Sequence, residues 1–378
     1  MEELEINNTM LNKSYQGKRV LVTGHTGFKG SWLSIWLTLL GAKVIGISND
    51  IPTARSNFSA SNVPAFIEDH RLDIRDINGI SKIIEARQPD FIFHLAAQAL
   101  VRPSYESPFE TLSVNALGSA AVLEALRCSV TEKKVVAVMI TSDKAYDNLE
   151  WKWGYRETDS LGGKDPYSAS KGMAELAIRS YTDSFFGKVM PNVSIGITRA
   201  GNVIGGGDWA LDRIVPDCVN AWSMDERVSI RSPLATRPWQ HVLEPLSGYL
   251  ALGAELVANP ALNGEAYNFG PNSNQNHSVS HLIDEMAKHW DKVRWIDDSN
   301  NSNAVHEAGL LKLNCDKALF DLKWKPTLDF KGTVQLTIEW YKEYYQNIGG
   351  DMHDFTVSQI LSYVDNAEKL QIDWALND

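Results

Sequence analysis

Cysteine is scarce in this chain, and the few cysteines lie far apart. Cys128, Cys218 and Cys315 are the three cysteines among 378 residues, and they form no C-x-x-C pair. This spacing fits neither a disulfide framework nor a structural zinc site, so we expect reduced thiols and no metal site. Reduced thiols are typical of a cytoplasmic protein.

The sequence also lacks long apolar segments and an excess of positive charge. No segment has roughly eighteen uninterrupted apolar residues, and the polar, acidic N-terminus has no signal-peptide pattern. We therefore expect no association with a membrane. A formal net charge of -11 argues against nonspecific binding of nucleic acid, so any phosphate group must be held by local basic side chains.

The chain does contain alternating strand and helix patterns, after about fifteen residues that we expect to be frayed. Continuous apolar strands separated by helices predict an α/β fold with a doubly wound parallel sheet of the Rossmann type over residues 17–200. The predicted strands are 19–24, 43–48, 90–97, 135–142 and 193–202. The predicted helices are 31–42, 77–87, a stretch within 108–128, and 166–186.

Beyond Asn202 this alternation weakens, and short mixed elements follow. We expect residues 201–378 to form mostly a smaller, mixed α/β lobe that binds the substrate. A strand near residues 265–270 is expected to return to the first sheet.

A glycine-rich loop, residues 24–30, follows the first predicted strand and opens the first helix. Glycine permits a tight turn and lets a pyrophosphate approach the positive end of a helix. A P-loop would require Gly-Lys-Ser/Thr, but here the lysine precedes the glycine. The G-x-x-G-x-x-G spacing predicts a dinucleotide site, with a purely structural turn as the alternative. We assign these loop residues to the cofactor: Gly24, Thr26, Gly27, Phe28, Lys29 and Gly30.

Asp50 lies just after the second predicted strand, where an acidic side chain can accept hydrogen bonds from the adenosine ribose. Asp50 therefore favours NAD, whereas Arg55 nearby would suit a 2′-phosphate. A solvated turn residue is the other interpretation of Asp50. Asp73 and Ile74 are placed to reach the adenine. We predict NAD as the cofactor.

Asp165 and Pro166 form a helix-start signal, and the helix then carries Tyr167 and Lys171 on one face. A cation beside the phenol, together with a positive nicotinamide, favours the phenolate, which can take a proton from a sugar hydroxyl. Alone, Tyr-x-x-x-Lys is common on amphipathic helices. Together with the glycine loop and Ser142 at a strand end, it predicts a Ser-Tyr-Lys catalytic constellation.

Several segments resemble a known family. "TGHTGFKG", "HLAAQ", "NALGS" and "YSASK" resemble the extended short-chain dehydrogenase/reductases that act on nucleotide sugars. "ITSDKAYDN", "WGYRE", "RAGNVIGGGDW", "RPWQHVLEPL" and "HEAGLLKL" more narrowly resemble CDP-glucose 4,6-dehydratases, over about residues 17–325. The resemblance implies that Leu95, Ala96 and Ala97 lie at the cofactor.

The resemblance also implies the reaction, in which NAD oxidises C4 of CDP-glucose, water is eliminated across C5 and C6, and hydride returns to C6. Asp143 and Lys144 stand where an acid for O6 and a group acting on C5 are needed. Lys144 would be the base if neutral, or would stabilise the enolate if charged. The related dTDP-glucose enzymes have Asp-Glu here, so Asp-Lys agrees with the CDP-glucose branch. A solvated salt bridge is the alternative for this pair.

Substrate residues follow partly from the resemblance, which places Asn202 on the loop facing the nucleotide sugar. Arg213 and Arg237 are expected diphosphate ligands, because a planar guanidinium matches phosphate oxygens. Arg231 and His241 are expected in the nucleoside pocket. An ordinary surface ion pair or a packed histidine is the alternative for each of these.

Two further implications concern assembly and pathway. Family members associate through the helices that correspond to 108–128 and 166–186, so we expect a homodimer or a dimer of dimers. The product is expected to feed deoxysugar synthesis for a surface polysaccharide such as O-antigen. The alternatives are a 4,6-dehydratase or 4-epimerase of another nucleotide sugar, and a noncatalytic dinucleotide sensor.

Overall fold

The computed structural model describes residues 9–129, 132–187, 189–273, 275–299 and 310–376. Part of the segment "HEAGLLKL", residues 306–309, therefore lies outside the described residues. The strands are β1 (Arg19–Thr23), β2 (Lys43–Ser48), β3 (Glu68–Arg71), β4 (Phe91–His94), β5 (Val135–Ile140), β6 (Val193–Ala200), β7 (Val203–Ile204), β8 (Val228–Ile230), β9 (Thr236–Arg237), β10 (Gln240–His241), β11 (Ala266–Phe269), β12 (His277–Ser278) and β13 (Trp295–Asp297).

Helices separate most of the long strands. They are α1 (Met10–Tyr15), α2 (Phe28–Leu39), α3 (Asn57–Ala60), α4 (Ile77–Arg87), α5 (Val101–Glu106), α6 (Pro108–Leu112), α7 (Gly118–Cys128), α8 (Pro166–Ser184), α9 (Ile214–Ser223), α10 (Leu243–Ala258), α11 (Val279–Met286), α12 (Asp316–Leu322), α13 (Phe330–Gln346) and α14 (His353–Lys369). A π-helical turn, Ser113–Leu117, joins α6 to α7. None of the described helices combines the length and apolar character that a membrane span requires.

The main sheet has seven parallel strands in the order β11-β6-β5-β4-β1-β2-β3, which confirms the predicted doubly wound α/β fold. Helices cover both faces, because successive residues of one strand point to opposite sides. Val20 and Val22 pack in the cluster that contains α2 and α10, whereas Leu21 packs in the cluster that contains α4 and α7. This double burial explains the uninterrupted apolar runs of β1 and β5.

Edge strand β3 was not predicted from the sequence. Its residues are Glu-Asp-His-Arg, with no apolar alternation, and they are mostly half-buried. The strand is held by parallel pairing with β2, where Ile45 lies opposite Glu68. A polar sequence is tolerated here because an edge strand has a neighbour on one side alone.

The expectation of a frayed N-terminus is wrong for residues 10–15, which form α1. Thr9 caps this helix by accepting a hydrogen bond from the Asn12 amide at 3.2 Å. Leu11 and Tyr15, four residues apart, are buried on one face, and the Tyr15 hydroxyl donates to the Leu250 carbonyl oxygen at 2.7 Å. A cap and two apolar contacts are therefore enough to anchor this short helix.

The C-terminal helices pack against the Rossmann sheet layer. Trp36 of α2 lies edge to face with Tyr363 of α14 and with Trp374, at ring-centre distances of 5.8 and 6.0 Å. These residues belong to one hydrophobic cluster that also contains β1 and α10. Strand β11 pairs with β6 in the main sheet, whereas the division at residue 200 into two lobes stays a prediction.

Candidate active site

The predicted catalytic and cofactor residues lie at the carboxyl edge of the parallel sheet. Thr23 at the end of β1 is opposite His94 at the end of β4, and His94 is opposite Met139 in β5. The glycine loop, residues 95–97 and the turn after β5 therefore begin side by side. Ligands of open α/β sheets bind at this edge.

The glycine loop forms a cradle that larger residues would fill. Gly24 has a φ of +76°, and a Cβ added there would lie 2.7 Å from the Ala96 nitrogen. A Cβ on Gly30 would lie 2.1 Å from the Gly24 carbonyl oxygen. Helix α2 begins at Phe28, and its N-cap, Gly27, supplies no side-chain hydrogen bond. The open helix N-terminus fits an anionic pyrophosphate.

Gly30→Ala is expected to weaken NAD binding at least about tenfold, about 1.4 kcal/mol, because the added methyl group collides with the loop backbone. Calorimetric titration with NAD measures this effect. The matched control is Gly332→Ala in α13, where the nearest atom to the new Cβ is 3.4 Å away. Equal NAD affinity in the two variants would contradict the role of the cradle.

Asp50 is exposed after β2, and its carboxylate accepts a hydrogen bond from the Ile51 amide at 2.7 Å. The Thr26 hydroxyl donates to the Asp50 carbonyl oxygen at 2.6 Å, which ties this residue to the glycine loop. Arg55 points instead to the C-terminal helices, where it donates to the Tyr345 hydroxyl at 2.9 Å. This arrangement supports Asp50 over Arg55 as the residue near the ribose.

The residues predicted near the adenine have other partners in the structure. Arg75 binds Asp73 through two nitrogens and holds the pKa of that carboxyl below its usual range. Ile74 is buried beside Gly118, whose position leaves room for no side chain. Residues 95–97 are half-buried behind β4. Their contacts with a cofactor stay predictions.

Tyr167 and Lys171 stand on the first two turns of α8. The predicted helix start is present, since Asp165 accepts a hydrogen bond from the Ser168 amide at 2.9 Å and Pro166 opens the helix. Both catalytic candidates are buried, and the Lys171 ammonium lies 6.0 Å from the centre of the Tyr167 ring.

Burial dominates the acid-base behaviour of this pair. It raises the pKa of Tyr167, and a hydrogen bond with Ser142 and the charge of Arg213 oppose that rise. Burial also lowers the pKa of Lys171 to about 8. These effects together favour the neutral phenol of Tyr167 over its phenolate. The positive charge of a bound nicotinamide must therefore help to stabilise the phenolate.

Asp143 and Lys144 form a 3₁₀ turn with Ala145 directly after β5. The Ser142 hydroxyl donates to Asp143 at 2.9 Å and accepts a hydrogen bond from the Lys144 amide at 3.2 Å. Burial raises the pKa of Asp143, against the opposing charge of Lys144. A carboxyl group with a raised pKa is suited to donate a proton.

A cleft opens beside this turn. Its walls combine the catalytic turn with segments from far along the chain and include Asp143, Gly201, Gln240, Gly270, Pro271 and Leu313. Lys144 is half-buried next to the cleft residue Asp143. Asp143 therefore lies in the cleft wall, and contact of Lys144 with a substrate stays a prediction.

Lys29 interacts electrostatically with Asp143, which its position in the glycine loop did not reveal. Its ammonium lies 3.4 Å from the Tyr249 hydroxyl. Burial and the charge of Arg213 lower the pKa of Lys29 to about 8, and Asp143 opposes this. Tyr249 was missed because α10 has an apolar sequence that is typical of a core helix.

Two of the predicted substrate residues are near the catalytic groups. Arg213 pairs with Asp208 at 2.7 Å, and its charge acts on the pKa of Tyr167. Asn202 is half-buried, and its carbonyl oxygen accepts a hydrogen bond from the Gln240 amide at 3.2 Å. The role of Arg213 as a diphosphate ligand stays a prediction.

The other predicted substrate residues range from exposed to fully buried, and their roles stay predictions. Arg231 is exposed, and Arg237 is half-buried on β9. His241 is fully buried with its ring 5.8 Å from that of Trp32, and burial lowers its pKa to about 3. His241 is therefore packed in the core, as the alternative interpretation expected. Its burial disfavours a role in substrate binding, which stays a prediction.

Comparison with known proteins identifies the family of this chain. Residues 21–337 match the family model described as GDP-mannose 4,6 dehydratase. A CDP-glucose 4,6-dehydratase of Salmonella typhimurium is 45% identical over 360 residues, which cover 94% of this chain and 99% of that protein. The fold and the site define an extended short-chain dehydrogenase/reductase. The chain belongs to the 4,6-dehydratase family within that class.

Solved structures share the fold. Epimerase Mth375 from Methanothermobacter thermautotrophicus superimposes with a TM-score of 0.73 and 26% identity, covering 90% of this chain and 97% of that one. A dTDP-glucose 4,6-dehydratase from Bacillus anthracis, in complex with NAD, has a TM-score of 0.69 and 19% identity, covering 86% and 97%. At 19% identity the second likeness shows the fold alone.

Proposed function

We propose that the chain catalyses the NAD-dependent 4,6-dehydration of CDP-glucose to CDP-4-keto-6-deoxyglucose. The observation that carries this proposal is the Asp143-Lys144 turn beside the buried Tyr167 and Lys171. Oxidation alone would need the tyrosine and lysine, whereas elimination of water also needs an acid and a group acting on C5. The 45% identity to a CDP-glucose 4,6-dehydratase supports this nucleotide.

The residues of the glycine cradle fit NAD. The open N-terminus of α2 would hold the pyrophosphate, and Asp50 would bind the adenosine ribose. When bound, NAD would supply reversible hydride transfer, from C4 of the hexose and back to C6. The net reaction therefore consumes no cofactor.

Tyr167 and Ser142 act on the C4 hydroxyl. Tyr167 removes the hydroxyl proton as the phenolate, and Ser142, which shares a hydrogen bond with it, orients the reacting oxygen. The buried Lys171 ammonium stabilises the phenolate and helps to hold the nicotinamide ribose. Arg213 would bind the diphosphate.

Asp143 and Lys144 act after C4 has become a ketone. Burial favours the neutral form of Asp143, which donates its proton to the departing O6. Lys144 acts at C5, either as a neutral amine that takes the proton or as an ammonium that stabilises the enolate.

A panel of CDP-, dTDP-, GDP- and UDP-glucose tests the substrate and the reaction together. We expect a product lighter by one water from CDP-glucose, with at least about tenfold lower kcat/KM for the other nucleotides. Mass spectrometry of the products measures this. An unchanged mass with inverted C4 would instead indicate a 4-epimerase, and bound NAD without turnover of any sugar would indicate a noncatalytic sensor.

The assembly that we propose is a homodimer or a dimer of dimers in the cytoplasm. Apolar side chains are exposed on the helical stretch from α6 to α7 and on α8: Phe109 is 79% exposed, Leu117 60% and Leu176 59%. A second copy packed on these helices would bury them. The deoxysugar product would then supply synthesis of a surface polysaccharide.

A further inference from the structure

A buried ion pair lies directly behind the catalytic residues. Arg199 of β6 and Glu175 of α8 are both fully buried. The guanidinium donates from Nε to Glu175 Oε1 at 2.6 Å and from Nη2 to Oε2 at 2.5 Å. This two-pronged geometry is the strongest form of an Arg-carboxylate contact.

The pair is connected to the strand and turn that carry the catalytic groups. The Thr141 hydroxyl donates to Glu175 at 2.8 Å, and Thr141 immediately precedes Ser142. Arg199 donates to the Tyr146 hydroxyl at 2.6 Å, and the Tyr146 amide closes the 3₁₀ turn on the Asp143 carbonyl oxygen. The ion pair therefore contacts both ends of the segment from Thr141 to Tyr146.

Helix α8 is tied to the same pair. Glu175 follows Lys171 by four residues and Tyr167 by eight, so the three side chains share one face of the helix. Glu175 is thus the link between the helix that carries Tyr167 and the segment that carries Asp143. Movement of α8 relative to β6 would break two charge-assisted hydrogen bonds between fully buried groups.

We propose that Glu175 and Arg199 are positioning residues for the reaction and that the Glu175 carboxylate is the counter-charge that keeps Lys171 an ammonium. The inference rests on the roles assigned to Tyr167 and Lys171 under the proposed function. A buried ion pair adds little net stability compared with apolar residues of the same volume, so stability alone does not account for it.

The charges around Lys171 support this assignment. Tyr167 and Glu175 lie on its own helix, and the charge of Lys171 also acts on the pKa of His94 in β4 and on that of Lys29 in the glycine loop. Of these, Lys29 adds positive charge, and the imidazole of His94 is neutral because burial lowers its pKa to about 3. Glu175 is the group that opposes the effect of burial on Lys171.

The test is the pH dependence of kcat/KM for C4 oxidation in the full enzyme with NAD. Burial already lowers the pKa of Lys171 to about 8, and Glu175→Gln removes the charge that raises it. The alkaline limb of the profile is expected to move to lower pH by about one unit, which means about tenfold lower activity above the limb. Asp365→Asn, in an exposed pair on α14, is the control and should leave the profile unchanged.

A double variant distinguishes the loss of the Glu175 charge from a general loss of stability. Glu175→Gln alone leaves the charge of Arg199 buried without a carboxylate beside it, whereas adding Arg199→Met removes both charges and should restore thermal stability. The shifted alkaline limb is expected to persist in this double variant. A wild-type profile in the stable double variant would overturn the proposal. By contrast, wild-type activity in Lys171→Met would overturn the assigned role of Lys171 itself, and with it the proposed mechanism.

Discussion

Tyr167→Phe is expected to lower kcat for C4 oxidation by about 10²- to 10⁴-fold, because this change removes the group that takes the hydroxyl proton. The side chain is buried, interaction with Ser142 opposes the rise that burial gives its pKa, and the Lys171 ammonium lies 6.0 Å from its ring. NAD affinity should stay within about twofold, since the glycine cradle is untouched. The absorbance of reduced nicotinamide after mixing with CDP-glucose measures the step.

The same helix supplies a matched control. Tyr181 lies on α8 beyond the catalytic face, where its hydroxyl contacts Glu124 at 3.2 Å. Tyr181→Phe also removes one hydroxyl group from the helix, and it should oxidise CDP-glucose at the normal rate. If Tyr167→Phe retained activity close to that of the control, another group would have to be the base.

Asp143→Asn and Lys144→Ala are expected to impair the elimination of water and to leave C4 oxidation intact, whereas Tyr167→Phe impairs C4 oxidation. Each should retain NAD binding and C4 oxidation but lose about 10²- to 10⁴-fold in water elimination, because the Asp-Lys turn acts after the ketone has formed. Reduced nicotinamide should then accumulate instead of returning to its starting level. Asp147→Asn, just beyond the turn, is the control, and a normal rate of dehydration in either active-site variant would make the assignment wrong.

Lys144→Arg separates the two roles that remain open for the lysine. Arginine keeps the positive charge but does not deprotonate in proteins, so it can stabilise an enolate but cannot serve as the base. Dehydration within about tenfold of the wild-type rate would identify charge stabilisation. A loss as large as that of Lys144→Ala would identify Lys144 as the base, and product mass against time distinguishes these outcomes.

The sheet and the start of α8 were predictable because their signals are local. Runs such as "VVAVMI" are apolar at every position, since both faces of β5 are buried. Asp165 and Pro166 mark the first turn of α8 through hydrogen bonds and dihedral preferences that act within four residues. The glycine loop was predictable for the same reason.

The parts that were missed depend on contacts between distant residues. Arg199 and Glu175 are 24 positions apart, and the residues around each of them do not predict their ion pair. The apolar pattern of α10 predicts a core position for Tyr249, but its hydroxyl contacts the Lys29 ammonium of the glycine loop. His241, expected in the nucleoside pocket, is packed against Trp32, and its substrate role stays a prediction. A sequence pattern can indicate that a residue is buried, but it does not indicate which distant residues that residue contacts.

The most direct test of the central claim uses CDP-glucose labelled with deuterium at C4. Hydride removed from C4 and returned to C6 would place the deuterium at C6 of a product that has lost one water, and we expect this result by mass spectrometry and NMR. Deuterium that remained at C4, or a product that had lost no water, would contradict the assignment of the site to 4,6-dehydration.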